Sequence, residues 1–464
     1  MFKKIEAWIL YLVLLLSTLC IVGFGVLVRQ EIVGNTKIGK YDISILSKPA
    51  AFIAGLPEQA IRILLKPNPN RVNDPWDEYR DFYAQSGFEG SPNTFQSYLL
   101  LSRYDGDLME GVVELVDLTN FKTLHIWNPD IDAFNMEVDQ VNEFKYLNRD
   151  DNNKRKTLKH PKLTKDGGLL FGWNSPLRKI DSCSNLVFQN TNDIFHHSIE
   201  TDFEGNIWAP SHMYPQSLPI NKVGRNIIAE GGFYDDAIVK LSPDGEVLYE
   251  KSVSQIFIDN GLEYLLFSVG ELEFKKDPIH LNDIQPVNTD SQYWKKGDVF
   301  LSLRHQSMVL LYRPSTNKII WRGAGAFFSQ HDVDIIDDHR ISIFDNNSKN
   351  FIDGRVVDGK NKVVTYNFKT NEYSEYFSDS LNKYDVRTPK EGLNEILPNK
   401  DLFVEESFYS RLLYFNADGS LRWSHVNRAN DGNIYTSGWS RILYTAEDIK
   451  IVNDFINNKE ECNE

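Results

Sequence analysis

Four short stretches of the sequence carry side chains that together could transfer an anionic group. They place His196 and His197 in FHHSIE, His280 in HLNDI, Arg304 in SLRHQS and His331 in SQHDV. Imidazole can act as nucleophile, general base or general acid near neutral pH, and guanidinium presents a fork of donors that fits phosphate or sulfate. One histidine could therefore attack and carry the group, another could exchange a proton, and the arginine would balance charge on the oxygens.

A divalent metal is the main alternative use of these histidines, since neutral imidazoles are good zinc ligands. Arg304 argues against it, because a guanidinium beside a cation is unfavourable. Its charge would instead favour a neutral, nucleophilic neighbouring histidine. We therefore expect no metal and no other cofactor. His305 follows Arg304 and should point the opposite way, so we assign it to the scaffold.

The elements that would bring these residues together are short, repeated strands. From Ser97 onward, hydrophobic runs alternate with turns rich in Asp, Gly and Asn, with a period of roughly 40 to 60 residues, as in propeller blades. We divide them into six units: Ser97–Pro129, Lys162–Asn190, His196–Val253, His280–Gly325, Gln330–Ser378 and Glu391–Asn427. The sequence thus predicts an all-β fold, a six-bladed β-propeller over residues 97–450, closed by the run Gly438–Thr445. Helical insertions are expected at residues 131–147 and 254–273.

The predicted site lies where these units open. The innermost strand of a propeller blade borders the central channel, and His197, His280 and His331 stand at or just before such openings. Only one of the adjacent His196 and His197 should face the channel from a regular strand. The histidines with no comparable context, for which we expect no role in the site, are His125, His160, His212, His339 and His425.

The N-terminal region predicts attachment to a membrane. Residues Trp8 to Val28 are apolar and uncharged, long enough to cross a bilayer as a helix, and Lys3 and Lys4 favour a cytoplasmic N-terminus. We assign residues 1–29 to a cytoplasmic tip and transmembrane anchor in the inner membrane, with the rest on the periplasmic side; a cleaved signal peptide is the alternative. Residues 30–96 are interpreted as a stalk with a helix starting at Pro57, and residues 451–464 as a polar tail.

The composition bears on which class of partner the protein can bind and on which cysteines can form a disulfide. The formal net charge of −15 argues against nucleic acid as a partner, since the phosphate backbone attracts Lys and Arg. Of the three cysteines, Cys20 falls in the apolar run. Only Cys183 and Cys462 could pair outside a membrane, and the sequence leaves open whether they do.

The motifs quoted above resemble those of the bacterial arylsulfotransferases (the ASST family). The resemblance rests on HHSIETDFEGNIW, HLNDI, SLRHQS with KIIWRGAG, and QHDVDII with ISIFDN, and it covers roughly Ser97 to the C-terminus. It implies a six-bladed propeller outside the cytoplasmic membrane. It also implies sulfuryl transfer from an aryl sulfate to a phenolic acceptor, independent of the nucleotide sulfate donor PAPS, through a sulfohistidine intermediate.

The resemblance also implies roles for single residues. His331 would be the nucleophile, Arg304 and His280 would bind the sulfuryl oxygens and assist proton transfer, and His197 or His196 would complete the anion site. We add Phe327 and Phe328, just before Gln330, as candidates for an aryl pocket.

Other classes of function remain compatible with the sequence. The N-terminal part departs from the β-rich dimerisation domain expected of the family, so the oligomeric state stays open. The alternatives to a transferase are a non-catalytic propeller that binds partners and a metal-dependent hydrolase or lyase with histidine ligands.

Overall fold

The computed structural model describes residues 6–32, 37–38, 41–65, 68–72, 85–218, 233–268, 276–351, 354–458 and 462. The chain divides into two compact units, Met1–Pro69 and Asn70–Glu464. The first is mostly helical and the second is mostly β-structure.

The first unit is built on two apolar helices. Its elements are helix α1 (Ala7–Ile32), strands β1 (Lys37–Ile38) and β2 (Tyr41–Asp42), which pair, and helix α2 (Ser44–Leu65). The span Ala7–Glu31 has a mean hydropathy of 2.6, which is compatible with a single-pass anchor or a signal sequence. The prediction of a helix that starts at Pro57 was wrong in its start, because the apolar stretch Ser44–Leu56 is already helical. Lys3 and Lys4 lie outside the described residues.

Antiparallel sheets fill the second unit in a propeller-like arrangement. One sheet joins β29 (Arg441–Leu443), β4 (Tyr98–Asp105), β5 (Glu110–Asp117) and β6 (Lys122–Trp127). A second joins β15 (Leu281–Pro286), β16 (Val299–Leu303), β17 (Met308–Arg313) and β18 (Lys318–Ala324). A third joins β19 (Val333–Ile335), β20 (Arg340–Asp345), β23 (Lys362–Asn367) and β24 (Glu372–Tyr376). A fourth joins β25 (Leu393–Ile396), β26 (Leu402–Glu406), β27 (Arg411–Phe415), β28 (Leu421–Val426) and β3 (Gly87–Gly90).

The remaining strands form one eight-stranded sheet and one hairpin. The large sheet holds β7 (Lys162–Leu163), β8 (Leu169–Phe171), β9 (Ser175–Ile180), β10 (Leu186–Phe195), β12 (Ile207–His212), β13 (Asp236–Leu241) and β14 (Val247–Ser252), with β11 (Glu200–Thr201) paired to β12. The hairpin is β21 (Ser348–Phe351) with β22 (Gly354–Val357). Six separate blades are not confirmed, because Ile194 and Phe195 pair with the end of β12 and merge two groups of strands.

Ring closure follows the sequence prediction, with one addition. Within the predicted run Gly438–Thr445, β29 pairs with Tyr98–Leu100 of β4, so the end of the chain completes the first sheet. Strand β3 pairs with β28 although it lies in the region interpreted as a stalk. Part of residues 30–96 therefore belongs to the β-domain, which the expected boundary at residue 97 missed.

Short helices lie among and after the strands, and both predicted insertions contain short helices separated by turns. The helices are α3 (Ile131–Met136), α4 (Leu147–Asp150), α5 (Val253–Asp259), α6 (Tyr264–Phe267), α7 (Ser378–Lys383) and α8 (Ala446–Asn457), with 3-10 turns at Asn142–Phe144, Arg304–Gln306 and Pro314–Thr316.

The C-terminal segment is not the predicted polar tail. Helix α8 begins at a capping box formed by Thr445 and Asp448, and its Phe455 is buried against Trp127, with ring centroids 5.7 Å apart. Beyond the helix, Cys462 forms a disulfide with Cys183. The apolar i, i+3 spacing of Val452 and Phe455 was the available sign of a packed helix.

Neighbouring sheets are joined at the centre of the domain by buried carboxylates. Amide N–H groups at or next to the innermost strands donate to a side chain of the preceding sheet, because these short edges have no strand partner on that side. The bonds run from Leu281 N to Asp236 Oδ2 (2.9 Å), from Val333 N to Asp283 Oδ2 (3.1 Å), from Asn394 N to Asp332 Oδ2 (2.9 Å) and from Ser440 N to Glu405 Oε2 (2.6 Å).

Replacing Glu405 with alanine should destabilise the fold sharply. Its buried carboxylate accepts hydrogen bonds from the amides of Trp439 and Ser440 and from the hydroxyl of Ser437, and each buried group left unpaired costs about 1–3 kcal/mol. We expect the unfolding free energy to fall by about 3 kcal/mol or more, measured from thermal and urea midpoints. The exposed Glu372 is the matched control, whose alanine variant should change it by less than about 0.5 kcal/mol. Equal midpoints for the two variants would contradict this role.

Candidate functional site

One cavity collects the five side chains singled out for chemistry. Its volume is about 680 Å³, and His196, His197, His280, Arg304 and His331 all line it. Residues that are up to 135 positions apart in sequence, from His196 to His331, thus face one space. His197, His280 and His331, which stand at or just before the openings of the predicted units, therefore meet at one cavity, as predicted from the sequence.

An unusual backbone conformation orients these residues. A left-handed residue precedes each of six short innermost strands, which is uncommon outside glycine and costs conformational energy. These residues are His160 (φ 44°), His197 (φ 57°), His280 (φ 57°), Ser329 (φ 55°), Glu391 (φ 59°) and Trp439 (φ 63°). Their recurrence at equivalent steps indicates that the turn into the channel is a repeated feature of the scaffold.

Both members of the adjacent histidine pair line the cavity, contrary to our expectation. A regular strand would send His196 and His197 to opposite faces, but the left-handed φ of His197 breaks that alternation. Their Nδ1 atoms are 2.8 Å apart and share one hydrogen bond. The His197 ring also lies near the other histidines, with centroids 5.3 Å from His280 and 6.2 Å from His331.

His331 is held as a neutral imidazole with a defined tautomer. Its Nδ1 lies 2.6 Å from Oδ1 of Asn346, and its Nε2 accepts a hydrogen bond of 3.0 Å from the amide of Glu391. An amide oxygen only accepts, so the proton belongs on Nδ1 and the lone pair on Nε2. Burial, followed by the charge of Arg304, holds the pKa of His331 well below its ordinary value. The side chain is therefore uncharged and nucleophilic at neutral pH.

Asn346 was missed as a functional residue, although it ends the quoted motif ISIFDN. Its Nδ2 donates to the carbonyls of Thr388 (3.1 Å) and Glu391 (2.7 Å), which fixes its oxygen towards His331. It lies 15 residues after His331, directly after β20, but nothing in the sequence indicated that its side chain contacts His331.

Arg304 presents unused donors in the cavity. It follows β16 in a 3-10 turn, with its own amide bonded to the carbonyl of His280 at 3.0 Å. Its Nε and Nη2 are buried and have no hydrogen-bond partner among the described residues. Burial, then the charge of Arg355, lowers the pKa of Arg304 to about 10, so it stays charged at neutral pH. A buried guanidinium with one open edge suits a bidentate oxyanion.

His280 is oriented by a carboxylate that the sequence analysis did not identify. Its Nδ1 lies 2.5 Å from Oδ2 of Asp277, three residues earlier in the chain. His305 stacks on His280 with ring centroids 4.4 Å apart and lies 2.8 Å from the carbonyl of Asp277. His305 does not line the cavity, which agrees with its assignment to the scaffold. Asp277 lies in DPIH, where an acidic residue one turn before a histidine was the available signal.

Other residues that line the cavity were also missed, among them Glu391 and Trp173. Behind them, Lys159 forms an ion pair with Glu391, and its ammonium lies 4.9 Å from the centre of the Trp173 ring. His212, for which we expected no role, lines the cavity together with Asp236. The other histidines without a motif do not line it: His125, His160, His339 and His425.

The two phenylalanines proposed for an aryl pocket lie elsewhere. Phe327 is fully buried in a core cluster between two sheets, and Phe328 lies under the ammonium of Lys349. Neither lines the cavity. The aromatic side chains that do line it are Phe144, Tyr146, Trp173 and Tyr234.

Comparison with known proteins identifies one family. Residues 160–428, more than half of the chain, match the family described as arylsulfotransferase (ASST). No curated protein matches the chain.

Solved structures match only distantly. A protein of unknown function from Bacteroides caccae aligns at 11% identity and a TM-score of 0.43, over 75% of this chain and 99% of its own. A streptogramin B lyase aligns at 11% identity and a TM-score of 0.35, over 76% and 96%. An inactive variant of virginiamycin B lyase from Staphylococcus aureus, with quinupristin, aligns at 10% identity and a TM-score of 0.35, over 73% and 88%. Similarities of this size do not distinguish between functions.

Exchanging Arg304 for lysine should weaken binding of inorganic sulfate by at least about tenfold, because a point charge replaces a two-donor fork. Titration calorimetry on the purified full-length protein measures the affinity. Arg322→Lys, on an exposed position of β18, is the matched control and should bind sulfate like the wild type. An unchanged affinity in Arg304→Lys, or an equal loss in the control, would show that the anion binds elsewhere.

Proposed function

Because the chain belongs to the arylsulfotransferase family, we propose that it moves a sulfuryl group from an aryl sulfate to a phenolic acceptor through a sulfohistidine at His331. The observation that carries the proposal is the edge of Arg304 that has no hydrogen-bond partner in the described part of the chain and lies in the same cavity as neutral His331. An anion acceptor beside a nucleophile is the minimum needed for transfer of an anionic group.

In the first half-reaction, the lone pair on Nε2 of His331 attacks the sulfur of the donor. The N–S bond forms, the bond from sulfur to the aryl oxygen breaks, and His280 protonates an aryl oxygen that is too basic to leave as the free phenolate. The amide of Glu391 now donates to that lone pair, so attack requires this hydrogen bond to open. The same amide and the Arg304 edge are then available for the sulfuryl oxygens.

The second half-reaction reverses these roles. His280, oriented by Asp277, takes the proton of the phenolic acceptor as its oxygen attacks sulfur. The N–S bond breaks and returns the lone pair to Nε2 of His331. Donor and acceptor would use one cavity in turn, which is a ping-pong scheme.

The aromatic rim supports aryl substrates. Tyr146 and Tyr234 are about half exposed, whereas Trp173 is partly covered. Rings placed at the mouth of a polar cavity can stack on an aryl group while its charged end reaches Arg304. We assign the aryl subsite to these residues in place of Phe327 and Phe328.

We also infer that the eight-stranded sheet counts as two blades, which gives six. The six left-handed residues before innermost strands support this count. The disulfide between Cys183 and Cys462 supports a location outside the cytoplasm, where disulfides persist. With α1 as an uncleaved anchor, the propeller would lie on the periplasmic face of the inner membrane.

Replacing His331 with asparagine should abolish transfer from 4-nitrophenyl sulfate to phenol, by at least about 1,000-fold in kcat, because the nucleophile is lost. The wild type incubated with donor alone should gain the mass of SO3 on the peptide that contains His331. His339→Asn, which alters a partly exposed histidine in a turn that does not line the cavity, should keep full activity. Near wild-type transfer by folded His331→Asn would rule out this nucleophile.

The burst of 4-nitrophenol released in the first turnover should have the same rate between about pH 6 and pH 8. The pKa of His331 lies well below its ordinary value of 6.5, so protonation removes the nucleophile only at lower pH, and 4-nitrophenolate leaves without a proton. Rapid-mixing absorbance measures the rate. A loss with an apparent pKa near 6.5 would contradict a neutral, buried His331.

A further inference from the structure

A second group of side chains in the cavity wall takes part in neither proposed half-reaction. His196, His212 and Asp236 each offer one ligand atom, and these atoms all lie within 4.8 Å of one another. Nε2 of His196 is 3.3 Å and Nδ1 of His212 is 3.1 Å from Oδ1 of Asp236. Two ligands about 2.0–2.1 Å from a tetrahedral zinc ion are about 3.3 Å apart. Each histidine nitrogen thus lies about as far from the carboxylate oxygen as two ligands of one ion lie from each other.

Hydrogen bonding does not account for this cluster. The three facing atoms are buried and have no hydrogen-bond partner among the described residues, because their angles do not suit one. Buried polar atoms are nearly always satisfied, so three unsatisfied atoms aimed at one point need an explanation. A bound cation satisfies all three at once.

The surroundings fit the support that metal ligands need. Oδ2 of Asp236 accepts from the amide of Leu281 at 2.9 Å, and Nδ1 of His196 bonds to His197 at 2.8 Å. Such outer contacts fix the orientation of ligating groups. The group offers two imidazole nitrogens and one carboxylate oxygen, which are common ligands of zinc.

We propose that His196, His212 and Asp236 bind one zinc-like divalent cation in the wall of the cavity. Two nitrogens and one carboxylate oxygen suit zinc and neighbouring transition metals. All three residues line the cavity, so a fourth coordination position faces it. The metal alternative considered from the sequence included His196 together with the histidines around Arg304, but neither His212 nor Asp236, and the expectation of no metal rested on Arg304.

Two other groups with a similar composition are poorer candidates. In the group of Asp277, His280 and His305, the histidine nitrogens already meet Asp277 at 2.5 Å and 2.8 Å in hydrogen bonds. The group of Asp337, Asp338 and His339 lies in a turn, with Asp338 exposed.

Cobalt binding tests the site directly. Purified full-length protein, stripped with chelator and titrated with Co²⁺, should bind one ion per chain with visible d–d absorption, and Zn²⁺ should displace it. His212→Ala should weaken Co²⁺ binding by more than the about 10–100-fold that loss of an outer contact costs. His212 is partly exposed, which favours a folded variant, and Asp236→Asn provides a second test that keeps an acceptor for Leu281. His305→Ala is the matched control and should bind like the wild type.

Three outcomes overturn the proposal. They are no stoichiometric Co²⁺ on the wild type, unchanged binding by His212→Ala and Asp236→Asn, and loss by His305→Ala alone, which would place the ion on the other group. None of these outcomes depends on sulfuryl transfer. The cobalt experiment can therefore be interpreted even if the protein is not a transferase.

The cation would also determine which ring nitrogen of His197 carries the hydrogen. The effect of this on catalysis rests on the proposed function. With Nε2 of His196 bound, its hydrogen lies on Nδ1 and is donated to Nδ1 of His197, which puts the hydrogen of His197 on its Nε2 as a donor for a sulfuryl oxygen. The kcat of the metal-free protein should then be at least about threefold lower than that of the Co²⁺-loaded protein. The metal-free sample should still bind Co²⁺ to the same extent. Equal rates with and without Co²⁺ would reject this link but keep the site, whereas no transfer in either form would instead reject the transferase.

Discussion

The structure depends on how the innermost strands satisfy their free backbone N–H groups. These strands are only two to six residues long and lie at the edge of their sheets, so a buried amide there would otherwise lack an acceptor. Carboxylates of the preceding sheet supply it, from Asp236, Asp283, Asp332 and Glu405. The same bonds that lock one sheet to the next fix the residues just before each strand. The packing between sheets therefore fixes the positions of the residues that line the cavity.

Burial keeps two acids near the centre of the domain from ionising fully at neutral pH, which limits the negative charge close to the proposed anion site. Burial raises the pKa of Asp283 and of Glu395 to about 7. Burial also opposes ionisation of Glu200, but the adjacent Arg441, 2.7 Å away, brings its pKa to about 2. The charge of Glu200 is thus compensated by Arg441. Glu391 and Asp277 act on Arg304 only through their charge, and its Nε and Nη2 atoms stay without a hydrogen-bond partner among the described residues and can meet a ligand.

The sequence predicted what depends on residue type and repetition, and failed where packing decides. Strand repeats, ring closure by Arg441–Leu443 and the family follow from local patterns. The five chemical residues were found because the chemistry of histidine and arginine can be recognised from residue type alone. Asp277 and Asn346 were missed because their role is a contact to another side chain. Phe327 was assigned to the wrong place because the sequence pattern of a hydrophobic residue before a strand is the same for a core residue and for a pocket residue.

Glu391 joins three functions in one position, and two of them do not involve its side chain. Its amide contacts His331 and its carbonyl holds Asn346, whereas only its carboxylate meets Lys159. Any residue that tolerates the left-handed backbone could supply the first two. Comparison of related sequences would therefore undervalue this position, and side-chain scanning would sample only a third of what it does. Editing the main chain itself, through an ester in place of the peptide link, is the way to examine the rest.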